Sequence, residues 1–154
     1  MRIRMNLFDI IINILCIATL IGFGIFLLIN WGDVPDKMPA QYNFSGEVTR
    51  WASKNEIFLM PAIALVLYIF ITIVEQFPQI WNIPIKVTAS NIGPVYRLAK
   101  NMISFAKLVM MLIFVIIPVS QVRTMSIPLW LIFSLIGVLV IVIIGHVIAM
   151  MRYR

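Results

Sequence analysis

Four long apolar runs leave this chain few folds to choose from. They cover residues 10–29, 57–74, 102–119 and 127–151. Each approaches the roughly 20 residues that an α-helix needs to cross the hydrocarbon core of a bilayer. No water is present there to satisfy backbone N–H and C=O groups, so each span must pair its own, as a helix does. Charged residues make up only 12% of the chain and mean hydropathy is +1.05; a soluble domain carries about 25% charged residues. The expected fold is therefore an all-α membrane protein, a four-transmembrane-helix bundle forming one integral-membrane domain over residues 1–154.

The first run follows Arg2 and Arg4 and so imitates a signal peptide. It is longer than the roughly 7–15-residue apolar core of a cleaved signal, and no small-x-small site follows it. It reads as a retained anchor. Orientation follows from the lysines and arginines. With the N-terminus inside, Arg2, Arg4, Lys86, Arg97, Lys100, Lys107, Arg152 and Arg154 are cytoplasmic. Lys37, Arg50, Lys54 and Arg123 are then external, joined there by Asp33, Asp36, Glu47 and Glu56. The basic bias favours N-in, C-in. It makes residues 31–56 an external loop and residues 75–101 a cytoplasmic segment.

The net charge of +6 flanks the spans and forms no dense patch, which argues against a nucleic-acid partner and for the lipid bilayer. Cys16 is the one cysteine, so an intramolecular disulfide and a cysteine-built metal site are both excluded; it reads as an apolar filler. Enzymatic constellations are thin. His146 is the single histidine, no histidine–carboxylate pair has ligand spacing, and no nucleophile elbow, phosphate loop or metalloprotease helix occurs. No enzyme activity, cofactor or metal is expected. Asp9 and Glu75 sit at span ends, either as interfacial charges or, if they face an inner cavity, as a coupling-ion site. Ala18/Gly22 and Gly145/Ala149 have the spacing of close helix packing, within the bundle or in a homo-oligomer.

The connections carry more information than the spans. Ser120 to Ser126 is a bare hairpin, with Ser126 and Pro128 reading as cap and first-turn proline of the last helix. From Pro94 onward, Arg97, Lys100, Asn101, Ser104 and Lys107 share one helical stripe. This predicts a cytoplasmic interfacial helix that continues into the third span, with its basic stripe toward anionic headgroups. In the external loop Pro35 and Pro39 favour an extended, docked run, and Asn43 to Gly46 is a turn signal. Tyr42 and Trp51 suit an interface, and Arg50 and Lys54 suit headgroup phosphates. Asn43-Phe44-Ser45 formally matches a glycosylation acceptor, in a chain with no other sign of eukaryotic secretion.

These residues resemble the N-terminal module of the SdpI-like bacterial membrane proteins, a module long labelled as of unknown function. The family pattern between its first two spans is roughly Pro-x-x-Ile-Pro-x-His-Phe-Asn-x-x-Gly-x-x-Asp-x-Trp-x-x-Lys. Pro35, Pro39, Asn43, Gly46, Trp51 and Lys54 match it, Pro61 resembles a proline that often follows, and Gln41 stands where the family usually has histidine. A second block, Pro84, Lys86, Thr88, Asn91, Tyr96 and Arg97, resembles the family's cytoplasmic Pro-Val-Lys-Val-Thr…Asn…Tyr-Arg-Leu-Ala segment. The resemblance implies a multi-pass protein of the bacterial cytoplasmic (inner) membrane. In the best-understood relatives it also implies immunity to a secreted peptide toxin and membrane recruitment of a repressor.

Two candidate sites follow. Outside, Pro35, Pro39, Gln41, Asn43, Gly46, Trp51 and Lys54 would bind or sense a secreted peptide or a lipid. Inside, Pro84, Lys86, Thr88, Asn91, Tyr96, Arg97 and Lys100 would meet a cytoplasmic regulator or lipid. The alternatives are a small transporter or channel subunit built on Glu75, Asp9 and His146, an accessory subunit of a larger complex, and, behind these, a lipid-acting enzyme. The topology is directly testable. A cysteine introduced by Ser90→Cys should react with a membrane-impermeant maleimide only after the cells are broken, and labelling in intact cells would reverse the assignment.

Overall fold

In the computed structural model, which describes residues 3–43, 45, 47–124 and 129–154, the first helix opens on a reciprocal cap. The Asn6 side chain accepts from the Asp9 backbone N–H at 2.9 Å, and the Asn6 N–H donates to Asp9 Oδ2 at 2.9 Å. Two of the orphan donors at the start of α1 (Leu7–Asn30) are thereby satisfied. A 3₁₀ turn at Trp31–Asp33 leads into two antiparallel strands, β1 (Lys37–Tyr42) and β2 (Val48–Ser53). A second reciprocal cap, between Ser53 and Glu56, opens a 3₁₀ turn at Lys54–Phe58 that runs into α2 (Leu59–Val74). Two long helices complete the chain, α3 (Ile92–Thr124) and α4 (Leu129–Met151).

Four helical stretches among the described residues are long and apolar enough to cross a membrane: Leu7–Asp33, Lys54–Val74, Ile92–Arg123 and Leu129–Met151. The chain is a multi-pass membrane protein, and its apolar outer surface implies a lipid bilayer around it. Ile10, Ile14, Ile69, Phe70, Ile73, Phe133 and Ile141 are among the large side chains left exposed, as lipid contact allows.

Three features differ from the sequence expectation. The 31–56 connection contains a β-hairpin, so the fold is helical apart from this two-stranded sheet. The third helix is one unbroken element that begins at Ile92 and runs to Thr124, so the expected continuation into the third span is present, but the helix starts earlier and ends later than the 102–119 run. At 33 residues it is about 50 Å long, well beyond the ~30 Å of hydrocarbon, so it tilts strongly or extends past the core. The basic stripe of α3 also turns inward, since Lys100, Ser104 and Lys107 are all buried. Ser126, Pro128, Phe44 and Gly46 lie outside the described residues.

α3 is the hub. α1, α2 and α4 each pack along it, while α1 and α2 meet each other at few points. At one end of the bundle, Phe23 and Leu27 of α1, Val34, Met38 of β1, Ile57 and Val115 of α3 form a single apolar cluster. The hairpin is thus a plug seated on the helix ends. Below it Ile12 and Cys16 of α1, Ala64 of α2 and Met111 of α3 interlock; burial raises no demand on Cys16 beyond filling space. At the opposite end Val95 and Ala99 of α3 close on Met150 of α4, and Trp81, Ile83, Ile85 and Val87 pack against them. In that connection the side chains alternate inward and outward with the period of an extended chain, leaving Asn82, Pro84 and Lys86 exposed.

Asn91 fastens this end together. Its Nδ2 donates to the carbonyls of Lys86 at 3.1 Å and Tyr153 at 2.8 Å, while its Oδ1 accepts from the Thr88 N–H at 2.7 Å. One side chain therefore joins the 81–91 connection, the start of α3 and the segment after α4, and places α3 and α4 antiparallel. Asn91→Ala leaves a donor and two carbonyls without this partner in a largely buried setting. It should lower stability by about 1–3 kcal/mol, read as a reduced midpoint of thermal unfolding in detergent.

Candidate functional site

The chemistry of this molecule is concentrated at the end of the bundle away from the hairpin, where α1 begins, α2 ends and α3 passes between them. Lys107 of α3 is wholly buried. Its Nζ donates to Glu75 Oε2 at 2.9 Å, Asn13 Oδ1 at 3.1 Å and Thr72 Oγ1 at 3.2 Å, and lies 5.1 Å from the centre of the Tyr68 ring. Those contacts use the three donors of an ammonium group and one aromatic face. Ser104 Oγ donates to the other carboxylate oxygen of Glu75 at 2.8 Å, and Tyr68 Oη donates to Asn13 Oδ1 at 3.0 Å.

A second cluster joins the first one turn away along α3. Asp9 is 1% exposed. Its Oδ2 accepts from Arg97 Nη1 at 3.0 Å and Lys100 Nζ at 3.1 Å as well as from the Asn6 N–H. Arg97 also donates to the Arg4 carbonyl, tying down the segment that precedes α1. Asn13 Nδ2 donates to the Asp9 carbonyl at 2.7 Å, which links the two clusters along α1. Asp9 Oδ1 has no hydrogen-bond partner among the described residues.

The charges do not cancel. Arg97, Lys100 and Lys107 face Asp9 and Glu75, so one positive charge is left over in an environment where an unpaired charge is costly. Beside the network lies a cavity of about 590 Å³ bordered by Arg4, Asp9, Asn13, Tyr68, Thr72, Glu75, Gln76 and Lys100. Such a volume is in the range of small-molecule and cofactor sites. A metal is not suggested: among the described residues no group of three or more His, Cys, Asp or Glu side chains could hold one.

Asp9 and Glu75 are thus brought together as an inner-cavity reading requires, but with α3 cations, while His146 is elsewhere. Its Nδ1 lies 2.8 Å from the Val142 carbonyl, one turn back along α4. Of the cytoplasmic set, Arg97 and Lys100 join the network, Asn91 is the fastener described above, and the Tyr96 ring meets Trp81 in a tilted contact with ring centres 5.9 Å apart. Pro84, Lys86 and Thr88 remain at the surface. Ser104 belongs to the stripe that helical periodicity assigns, whereas Asn13, Tyr68 and Thr72 are members that hydropathy does not reveal. The signal available for them is the recurrence of polar side chains on one face of otherwise apolar helices.

The hairpin holds most of the external set in structural roles. The strands pair Lys37 with Ser53, Met38 with Ala52 and Pro39 with Trp51, then shift register toward the turn. Pro39 is buried and its carbonyl accepts from Gln121 Nε2 of α3 at 2.6 Å; as an edge residue it needs no ladder donor. Asn43 closes the turn by bonding Glu47 three times, through its Nδ2, its Oδ1 and its backbone N–H. Lys54 Nζ donates to the Trp31 carbonyl at 2.6 Å and lies 4.5 Å from the centre of the Trp31 ring. Pro35 is half-buried, Gln41 is exposed, and Trp51 is 54% exposed. Trp51 forms one wall of an open recess of about 500 Å³ with Asp36, Lys37, Ala52 and Ser53.

Fold and site together define a multi-pass membrane protein with a docked hairpin at one end and a buried ionic network at the other. Residues 14–65, about a third of the chain, match the model of a domain of unknown function (DUF1648). The matched stretch contains most of α1, the whole hairpin and the start of α2. Comparison with curated proteins and with solved structures finds no match.

The network itself yields a test. Lys107→Met strands Glu75 as a buried, unpaired carboxylate and should cost about 3 kcal/mol or more. Adding Glu75→Gln removes that charge, so the double variant should be more stable than Lys107→Met alone. Thermal unfolding of the four proteins in one detergent measures the coupling.

Proposed function

We propose that this chain is a non-enzymatic recognition protein of the bacterial cytoplasmic membrane, of the SdpI-like kind. In this reading both termini are cytoplasmic and the hairpin stands outside, where it binds or senses a secreted peptide or a lipid in toxin immunity or signalling. The observation that carries the reading is the seating of the hairpin. It is held to α3 through Gln121 and to the end of α1 through Lys54, and its apolar face is part of the bundle's core. A recognition surface that is already ordered loses little entropy on binding, and this one offers an exposed tryptophan beside an open recess, the kind of anchor on which binding energy concentrates.

Asn43, Pro39 and Lys54 shape the surface in this account, and Trp51, with Lys37 and Gln41 beside it, makes the contact. The 81–91 connection, with Pro84, Lys86 and Thr88 exposed, is the face offered to a cytoplasmic regulator. Deleting the gene should then sensitise the cell to a secreted peptide. Trp51→Ala should reproduce the deletion, lowering the inhibitory peptide concentration by about tenfold or more, with unchanged protein level in the membrane. Wild-type resistance in the Trp51→Ala strain would overturn the assignment to this surface.

A second reading, transport, is favoured by one observation: the buried Lys107–Glu75 pair beside a polar cavity. It predicts that Glu75→Gln abolishes solute or proton flux in liposomes and leaves peptide protection unaffected, which is the reverse of the result expected for Trp51→Ala.

A further inference from the structure

The surplus of positive charge beside the inner cavity points to a ligand of its own, separate from anything the hairpin binds. We propose that the fissure between α1 and α2 is a binding site for the headgroup of an anionic phospholipid, whose phosphate is met by Lys100 and Arg4.

Three observations lead there. The first is charge. Arg4 and Lys100 border the cavity, and the ion pairs of Arg97, Lys100 and Lys107 are made with only two carboxylates, Asp9 and Glu75. Glu75 takes Lys107 and Ser104 on its two oxygens, and Asp9 takes Arg97, Lys100 and the Asn6 N–H on Oδ2, its Oδ1 having no partner among the described residues. The two carboxylates, which also border the cavity, offset two of the four cations, and a net charge of two positive remains for an entering phosphate. Lys100 is 5% exposed and among the described residues gives one hydrogen bond, to Asp9, so it retains donors for a ligand. A buried cation of this kind gains most from a partner that brings net negative charge.

The second observation is access. α1 and α2 both lean on α3 and touch each other little, so the cavity is a cleft between two helices. The outer faces of those helices near the cleft carry exposed Ile10, Ile11 and Ile14 on α1 and Ile69, Phe70 and Ile73 on α2. A lipid can lay its acyl chains along these faces while its headgroup turns into the cleft. A free soluble anion gains nothing from them.

The third is level. Asp9 lies in the first turn of α1, and Glu75 follows the last residue of α2. The cleft is thus at the ends of two apolar spans, the depth at which headgroups stand. Basic pockets between helices at that depth are a recurrent means of holding anionic lipid. The inward turn of the α3 stripe, which removes Lys100 and Lys107 from the outer surface, becomes intelligible in these terms: Lys100 meets the headgroup within the cleft.

The test uses the whole protein in mild detergent, titrated with phosphatidylglycerol or phosphatidylcholine of the same acyl chains and followed by native mass spectrometry. Phosphatidylglycerol should bind about fivefold or more tightly than phosphatidylcholine, because only the former brings net charge. Arg4→Gln, a change at an exposed position, should weaken phosphatidylglycerol by about fivefold and leave phosphatidylcholine unchanged. Lys100→Gln should do the same provided that its unfolding midpoint shows a folded protein, and Lys37→Gln at the hairpin end should do neither. Equal binding of the two lipids, or a wild-type affinity in Arg4→Gln, would overturn the site. Glycerol 3-phosphate displacing the lipid at comparable concentration would assign the cleft to a soluble phosphate ester and overturn the lipid assignment.

Discussion

Lys107 carries a full positive charge with no surface exposure, in a helix whose neighbours are apolar and whose surroundings are lipid. Such a charge is held only if every neighbour that stabilises it stays in place. Its partners come from two other helices, Asn13 of α1, Thr72 of α2 and Glu75 at the C-terminal cap of α2. Between helices in lipid there is no gain from excluding water, and association rests on packing and on polar contacts. The Lys107 contacts therefore do what a hydrophobic core does in a soluble bundle: they fix the height and rotation of α1 and α2 against α3. The Asp9 cluster repeats the tie one turn away, and the Asn6–Asp9 cap makes the beginning of α1 part of the same structure.

That tie has a consequence at the far end of the molecule. With α1 and α3 held in register, Phe23, Leu27 and Val115 present one apolar seat to Val34, Met38 and Ile57. The hairpin settles on it, and Gln121 completes the seat by binding the Pro39 carbonyl. The ionic network and the hairpin are thus mechanically linked through the length of α1 and α3. In a receptor this linkage would let an event at the hairpin be felt by the groups around Glu75 and Lys100. The stretch that matches a known domain model, residues 14–65, has the hairpin at its middle, while the buried ionic network lies outside it, with Asp9 and Asn13 before it and Tyr68, Thr72, Glu75 and the α3 residues after it.

Legibility in the sequence differed sharply between these parts. The apolar runs at 57–74 and 127–151 correspond within a few residues to α2 and α4, because hydropathy adds up locally. The extended docking of Pro35 and Pro39 and the turn near Asn43 were readable from proline and asparagine chemistry, yet pairing of the two strands was not, since it joins residues on either side of the turn. Two local signals stood in plain view: Asn6 with Asp9, and Ser53 with Glu56, each have the spacing of a reciprocal cap. The alternation of Trp81, Ile83, Ile85 and Val87 is a third.

By itself the sequence determined that this chain makes four long apolar helices and places its polar residues in the connections and along one face of the third. Helical periodicity also assigned Arg97, Lys100, Ser104 and Lys107 to a common stripe. Which way the stripe turns was decided only in the tertiary structure. A period of 3.6 says which residues share a face, but what the face meets depends on Asp9 and Glu75, held 91 and 32 residues away in the chain from Lys100 and Lys107 respectively. Their carboxylates, brought to α3 by α1 and α2, make the interior a better place for these cations than the headgroup surface that periodicity alone suggests.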